Sequence, residues 1–119
     1  MAEREPWPTE PKVDKARREL TVSFDDGSSF VIPAELLRVM SPSAEVQGHS
    51  PEERVTVPGK NAVRMARLEP VGNYAARIVF DDGHDTGLYT WAYLRELGQN
   101  QAERWRSYLA ELAAKGLTR

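Results

Sequence analysis

Apolar and polar side chains alternate along two stretches of the chain, and the same four residues interrupt both stretches. Residues 20–24 alternate with a period of two, and residues 28–32 resume the alternation. This period is typical of strands that bury one face. The interruption, Phe-Asp-Asp-Gly at residues 24–27, recurs at residues 80–83. Because Asp-Gly supplies the positive φ that tight turns need, each copy predicts a hairpin.

A helix is expected after each hairpin. Pro33 suits the first turn of a helix, and the apolar side chains from there to Met40 form one face. After the second hairpin, Thr90 is a good N-cap, and the apolar residues of 91–97 recur every third position. Gly98 is expected to end this helix. The chain therefore predicts two β-hairpin–helix units.

Further strands and a last helix complete the expected fold. A strand at about residues 62–69 joins residues 74–80 and 84–89 in an antiparallel meander. Asn100 begins a final helix that ends near Gly116 and carries an apolar stripe. The predicted fold class is α+β, with a mostly antiparallel sheet of about five to six strands built from the two units, plus the C-terminal helix.

Two parts of the chain lack a regular pattern. Residues 1–18 are rich in proline and charge, which predicts a flexible segment or a strap across the domain. Residues 41–59 contain three prolines and predict a long irregular connection with a short strand near residues 55–57. The domain itself is expected at residues 19–98, with residues 99–119 as a helix packed on it.

Composition narrows the classes of protein that the chain can represent. Its 119 residues, 40% hydrophobic and 29% charged, suit one compact domain. The net charge of −2 offers no basic field for nucleic acid, and no apolar stretch is long enough to span a membrane. We therefore expect a cytoplasmic protein. The absence of cysteine excludes disulfides and thiolate chemistry.

The residues most able to bind a metal or to act in catalysis lie in and directly after the second turn. Residues 81–86 read Asp-Asp-Gly-His-Asp-Thr, and His49 lies in the long connection. Three carboxylates near His84 could build a metal or acid–base site. The alternative is structural: Asp81 and Asp82 belong to a turn that recurs without a histidine, and His84 makes a hydrogen bond to the loop.

Several separated motifs resemble one known family. In order they are Leu-Leu-Arg-Val-Met-Ser-Pro-Ser-Ala-Glu-Val at 36–46, Gly-His at 48–49, Glu-Pro-Val-Gly-Asn-Tyr-Ala at 69–75 and Asp-Gly-His-Asp-Thr-Gly-Leu-Tyr-Thr-Trp at 82–91. They resemble the gamma-butyrobetaine hydroxylase-like N-terminal domain. The resemblance implies a small domain that precedes the oxygenase domain of carnitine-synthesis hydroxylases and helps to form their dimer. The domain also occurs on P-loop iron–sulfur carrier proteins and as short bacterial proteins, which this chain resembles.

The resemblance also implies a zinc site, but this sequence has lost most of its ligands. In the hydroxylases three cysteines and one histidine hold the zinc, and by position these correspond to Ser41, Ser43, Val46 and His84. Hydroxyls are weak zinc ligands and valine is none, so a closed zinc site is not expected. We expect hydrogen bonds and packing there to join the long connection to the second hairpin instead, with no cofactor.

A rebuilt metal site is the chemical alternative. His84 and His49, with a carboxylate from Glu45 or Asp85, could bind iron or zinc. Such a protein would serve as an accessory to iron–sulfur or iron-oxygenase systems. A small enzyme that uses His84 with Asp82 or Asp85 as an acid–base pair is a further hypothesis. Oxygenase activity is not expected, because the iron-binding residues belong to a domain that the chain is too short to contain.

The leading hypothesis is a non-catalytic module that binds an unidentified protein partner or associates with itself as a homodimer. Its expected interaction surface is the junction of the long connection with the second hairpin, represented by Ser41, Ser43, Tyr89 and Trp91. Trp7 in the N-terminal segment is expected to pack on its own domain.

Overall fold

Two three-stranded antiparallel sheets make up the β part of the fold in the computed structural model, which describes residues 6–119. The first sheet holds β1 (Lys12–Val13), β2 (Glu19–Ser23) and β3 (Ser29–Pro33), and the second holds β4 (Met65–Val71), β5 (Ala75–Phe80) and β6 (Leu88–Thr90). The α+β class and about six strands are confirmed for this part of the chain. The expectation of one continuous sheet is wrong, because the strands divide into two separate sheets.

Helices connect the two sheets. The helices are α1 (Ala34–Val39), α2 (Ala44–Gln47), α3 (Trp91–Gln99) and α4 (Gln101–Ala114). Helix α3, which follows the second hairpin, packs against β3 of the first sheet. Helix α3 therefore links the second hairpin–helix unit to the first sheet.

The long connection is more regular than its sequence predicts in one place and less regular in another. Helix α2 and a 3₁₀ turn at Pro51–Glu53 lie within it. The short strand predicted near residues 55–57 does not form. These residues instead lie beside α4, where the Tyr108 hydroxyl donates to the carbonyl of Val57 at 2.6 Å.

The described part of the N-terminal segment runs along β2. Strand β1 pairs with β2, and Pro8 forms an isolated antiparallel bridge with Phe24. The amide of Thr9 also donates to the carbonyl of Ser23 at 2.8 Å. Residues 7–13 therefore form a strap on the first sheet, which is one of the two predicted alternatives. The same prediction for residues 1–5 lies outside the described residues.

Gly98 has a different role from the one expected. It lies inside α3, which continues to Gln99, so the predicted helix end is wrong. A Cβ atom at this position would overlap the ring of Phe30 in β3. The glycine therefore allows the helix and the strand to approach each other closely.

The two Phe-Asp-Asp-Gly turns have matching geometry and are held reciprocally. Gly27 and Gly83 have φ values of 90° and 92°, which L-residues with side chains rarely adopt. Nε of Arg38 in α1 forms an ion pair with Oδ2 of Asp82 in the second turn at 2.7 Å. Nη2 of Arg95 in α3 forms an ion pair with Oδ2 of Asp26 in the first turn at 2.6 Å. Each turn is thus bound by the helix that follows the other hairpin.

Candidate functional site

His84 lies directly after the second turn and points into the protein. The residue is 6% exposed. Its amide donates to Oδ1 of Asp82 at 3.0 Å, an arrangement that the first turn repeats between Ser28 and Asp26. The side-chain carboxylate of each second aspartate therefore closes its own turn, as the sequence repeat predicts.

Both ring nitrogens of His84 have partners from the long connection. Nδ1 lies 3.1 Å from Oε2 of Glu45, and Nε2 lies 2.8 Å from Oγ of Ser41. In the neutral imidazole one nitrogen donates and the other accepts. Because a carboxylate only accepts, Nδ1 carries the proton, and the Ser41 hydroxyl donates to Nε2. The ring is thus fully bonded in one tautomer.

Ser43 makes a second link between the same two segments. Its Oγ lies 2.6 Å from Oγ1 of Thr86. The same oxygen accepts the amide of Glu45 at 3.2 Å and so caps α2. Gly87 leaves room for this junction because it has no side chain. A Cβ atom at this position would lie 2.5 Å from Oγ of Ser41.

The charges around this junction shift two pKa values. Burial lowers the pKa of His84 and the cation of Arg38 lowers it further, while Glu45 opposes both. Burial alone would raise the pKa of Asp82. Hydrogen bonds from Lys60, the His84 amide and Arg38 outweigh it and lower that pKa to about 2. At neutral pH the site therefore favours a neutral histidine beside an ionised aspartate.

The residues at the family's zinc positions do not fit the metal. Ser41, Ser43 and His84 lie side by side, but both hydroxyls are engaged in hydrogen bonds. Val46 is buried in the hydrophobic core and offers no ligand atom. Within residues 6–119, no group of three or more His, Cys, Asp or Glu side chains is arranged to hold a metal ion.

The alternative metal set is only partly assembled. Of its four residues the structure joins His84 and Glu45. His49 is exposed, and its amide donates to Glu53 at 2.8 Å. Asp85 faces Arg77, with Oδ2 and Nη1 3.8 Å apart. The acid–base hypothesis also lacks its expected contacts, because the carboxylate that bonds the His84 ring is Glu45 and not Asp82 or Asp85.

The predicted interaction surface needs correction. Ser41 and Tyr89 are fully buried, and Ser43 is 6% exposed. Tyr89 donates its hydroxyl to the carbonyl of Leu37 at 2.5 Å, so it belongs to the core. These three residues cannot contact a partner without opening the domain. Only Trp91, which is partly exposed, reaches the surface.

Trp91 lines an open groove in which aromatic rings cluster, here called the aromatic groove. Its volume is about 650 Å³, and its aromatic walls are Trp7, Phe24, Tyr74 and Trp91. Tyr74 is 53% exposed and Trp7 is 47% exposed. The sequence predicts that Trp7 packs on its own domain. In the structure only part of its side chain is covered. Tyr74 was not singled out from sequence, although an aromatic residue beside a Gly-Asn turn is a visible signal.

Together the fold and the site define a small α+β domain in which a buried, hydrogen-bonded histidine after the second hairpin joins the hairpin to a long connection. The chain belongs to the gamma-butyrobetaine hydroxylase-like N-terminal family, whose model matches residues 12–95. No curated protein matches the chain. In the described residues no helix has the length and apolar character needed to cross a membrane.

Solved structures agree with this assignment. Two NMR solution structures share 47% sequence identity with the chain, with TM-scores of 0.81 and 0.83. They cover 96% and 100% of this chain and 90% of each of those chains. A crystal structure from Acidithiobacillus ferrooxidans, described as a protein of unknown function in the DUF971 family, is 36% identical with a TM-score of 0.63. That match covers 76% of this chain and 91% of the other.

Proposed function

We propose that the chain is a non-catalytic module of the cytoplasm that binds a protein partner, or a second copy of itself, through the aromatic groove. The observation that carries this proposal is the gathering of Trp7, Tyr74 and Trp91 around one open groove. Tryptophan and tyrosine are enriched at protein interfaces because they bury a large area with few rotatable bonds.

The groove is preorganised for binding. The indole nitrogen of Trp91 donates to the carbonyl of Asn73 at 3.0 Å. The amide of Trp7 donates to Asp25, and its carbonyl accepts the amide of Asp25. These contacts hold the Trp91 ring and the Trp7 backbone before a partner arrives, which lowers the conformational entropy that binding costs at these two residues.

The His84 junction supports a structural and not a catalytic role for the polar residues. Both ring nitrogens are bonded and the ring is buried. A catalytic base needs access to a substrate proton, which this arrangement does not offer. We therefore assign the junction to holding the long connection against the second hairpin.

Self-association by strand addition is disfavoured by the composition of β4. This edge strand contains Pro70, which has no amide proton to donate, and the charged residues Arg67 and Glu69. Edge strands protected in this way resist pairing with another chain. We therefore propose the aromatic groove, and not the edge of β4, as the docking site for a second copy.

Photo-crosslinking combined with affinity capture tests the proposal. Immobilised protein is exposed to lysate of the cells that produce it, and sedimentation of the purified chain measures self-association. We expect Tyr74→Ser to lose the bound partner or the dimer. Leu109→Ser, a similarly exposed side chain that does not line the groove, should retain it. A photoreactive residue at position 74 should become covalently joined to the captured chain.

Two results would sink this proposal. One is capture that is equal for wild type and Tyr74→Ser, because the groove would then contribute nothing. The other is a monomer at high concentration together with no partner that crosslinks from position 74.

The metal alternative rests on one contact, between Nδ1 of His84 and Oε2 of Glu45. An accessory protein of this kind would carry about one iron or zinc ion per chain. Elemental analysis of protein purified without a histidine tag decides between the two functions. Stoichiometric metal that disappears in His84→Ala would favour the alternative, and substoichiometric metal in both proteins would remove it.

A further inference from the structure

Glu35 in α1 is a buried carboxylate that faces a second cleft, away from the His84 junction. Its side chain is 8% exposed. The cleft has a volume of about 600 Å³ and is lined by Pro33, Leu36 and Trp105 among others. A buried carboxylate requires a cation or several hydrogen bonds to offset its lost hydration. One side chain supplies both here.

That side chain is Arg119, which Glu35 and Trp105 hold from two directions. Nε and Nη2 of Arg119 donate to the two carboxylate oxygens of Glu35 at 3.0 and 2.8 Å. Cζ of Arg119 lies 5.1 Å from the centre of the Trp105 ring. A bidentate carboxylate and an aromatic face together match the planar guanidinium group and do not match an ammonium group.

Glu35 and Trp105, which bind Arg119, are held more firmly in the fold than Arg119 is. Glu35 and Trp105 belong to α1 and α4, which pack on the core. The Arg119 side chain is 49% exposed, and residues 113–119 are all exposed. Gly116, with φ of +66°, turns this segment, and the Thr118 carbonyl accepts the Gly59 amide at 2.9 Å. Glu35 and Trp105 are therefore positioned by helices that the core holds, and not by Arg119.

We propose that Glu35 and Trp105 form an arginine-binding site, which Arg119 fills within the chain and which an arginine of another protein chain fills in its place. This site is separate from the aromatic groove and extends the function proposed there. Because Arg119 is tethered close by, it competes at a high effective concentration. The ease with which residues 117–119 leave thus sets the affinity for an external arginine.

Peptide titrations followed by NMR test this site. The probe is the acetylated and amidated tripeptide Leu-Thr-Arg, which reproduces residues 117–119, and the matched peptide is Leu-Thr-Lys. The Trp105 indole resonance reports binding. We expect Arg119→Ala to bind Leu-Thr-Arg about tenfold or more tightly than wild type does. Leu-Thr-Lys should bind more weakly, and Glu35→Gln combined with Arg119→Ala should abolish binding.

Arg119→Lys and Arg106→Ala complete the design. Lysine keeps a cation beside Glu35 and so protects the fold, but it lacks the two parallel N–H donors of a guanidinium group. Arg119→Lys should therefore also bind Leu-Thr-Arg more tightly than wild type does. Arg106 is an exposed arginine on α4, and its removal should leave the affinity unchanged. Equal affinity of wild type and both Arg119 variants overturns the proposal. So does equal affinity for the two peptides, binding that survives Glu35→Gln, or a gain in Arg106→Ala that matches Arg119→Ala.

Discussion

Nε of Arg38 lies 2.7 Å from Oδ2 of Asp82, and the two residues belong to different hairpin–helix units. Lys60 approaches the same carboxylate oxygen at 2.8 Å. Both partners of the Arg38–Asp82 pair are largely shielded from water, with side-chain exposures of 12% and 16%. The pair therefore fixes the second turn, and with it His84, against α1.

The Arg38–Asp82 pair should contribute measurably to the free energy of unfolding. We expect Arg38→Met to lose about 2 kcal/mol, because it leaves a shielded carboxylate with less compensation. Arg95→Met should lose less, since the Arg95–Asp26 pair is more exposed. Urea unfolding of both variants measures these losses. A double-mutant cycle with Asp82→Asn isolates the pair, and a coupling energy near zero would contradict the prediction.

Gly87 should tolerate no side chain. A Cβ at this position would lie 2.5 Å from Oγ of Ser41 and 3.1 Å from the Tyr89 ring. We expect Gly87→Ala to cost about 2 to 3 kcal/mol and to disturb the bond between Ser41 and His84. Chemical denaturation and the His84 imidazole resonances report the two effects.

Gly59→Ala is the control for Gly87→Ala. Gly59 has φ of +71°, but its Cβ would meet open space. This variant should lose only about 1 kcal/mol of backbone energy and leave the His84 resonances unchanged. If Gly87→Ala lost the same free energy of unfolding as Gly59→Ala and left the His84 resonances unchanged, close packing at residue 87 would not contribute to stability.

Stability should fall as the pH is lowered through the range in which histidine titrates. Burial lowers the pKa of His84 in the folded protein below its usual 6.5. The unfolded chain therefore binds this proton first, so protonation favours unfolding at pH values below about 6.5. Urea titrations at pH 7.5 and at about pH 5 should show this loss in wild type and a smaller one in His84→Gln.

His49→Gln provides the reference for this pH dependence. The residue is exposed and is not part of the buried junction. It should keep the full pH dependence of wild type. A pH profile that His84→Gln shares with wild type would show that the buried imidazole is not its source.

Cysteines at the family's zinc positions should restore metal binding. Ser41 already contacts His84, Ser43 contacts Thr86 two residues further on, and Val46 belongs to α2, which Ser43 caps. The variant Ser41→Cys/Ser43→Cys/Val46→Cys should therefore bind about one zinc ion and gain thermal stability when zinc is present. Addition of His84→Ala should weaken the binding. Failure of the triple variant to bind zinc would mean that the carried-over positions do not converge.

The hairpins were predictable because local chemistry determines them. Asp-Gly at residues 26–27 and 82–83 favours a tight turn through the local sequence alone. The division into two sheets was not predictable in this way. It depends on which strands pair, and pairing between distant parts of the chain leaves no local pattern in the sequence.

At the site, too, local sequence predicts some features, and tertiary packing determines the others. The turn that positions His84 follows from its sequence, and the resemblance placed Ser41 and Ser43 near it. The burial of Tyr89 and the pairing of Arg38 with Asp82 depend on how the helices pack. The repeated Leu-Arg dipeptides at residues 37–38 and 94–95 were the available signal for the arginines. Gly98 was misread because a glycine near a helix end has the same sequence signature whether it ends the helix or admits a neighbour.

The exchange of arginines between the units also bears on how the chain folds. Neither Asp26 nor Asp82 gains its arginine until both units are present, since each arginine lies beyond the opposite hairpin. Each half of the chain would lack the arginine that pairs with its aspartate and the aspartate that pairs with its arginine. Two such fragments could satisfy both charges only by pairing with each other. In this respect the protein resembles a pair of hairpin–helix units that the long connection carrying Ser41 and Ser43 joins.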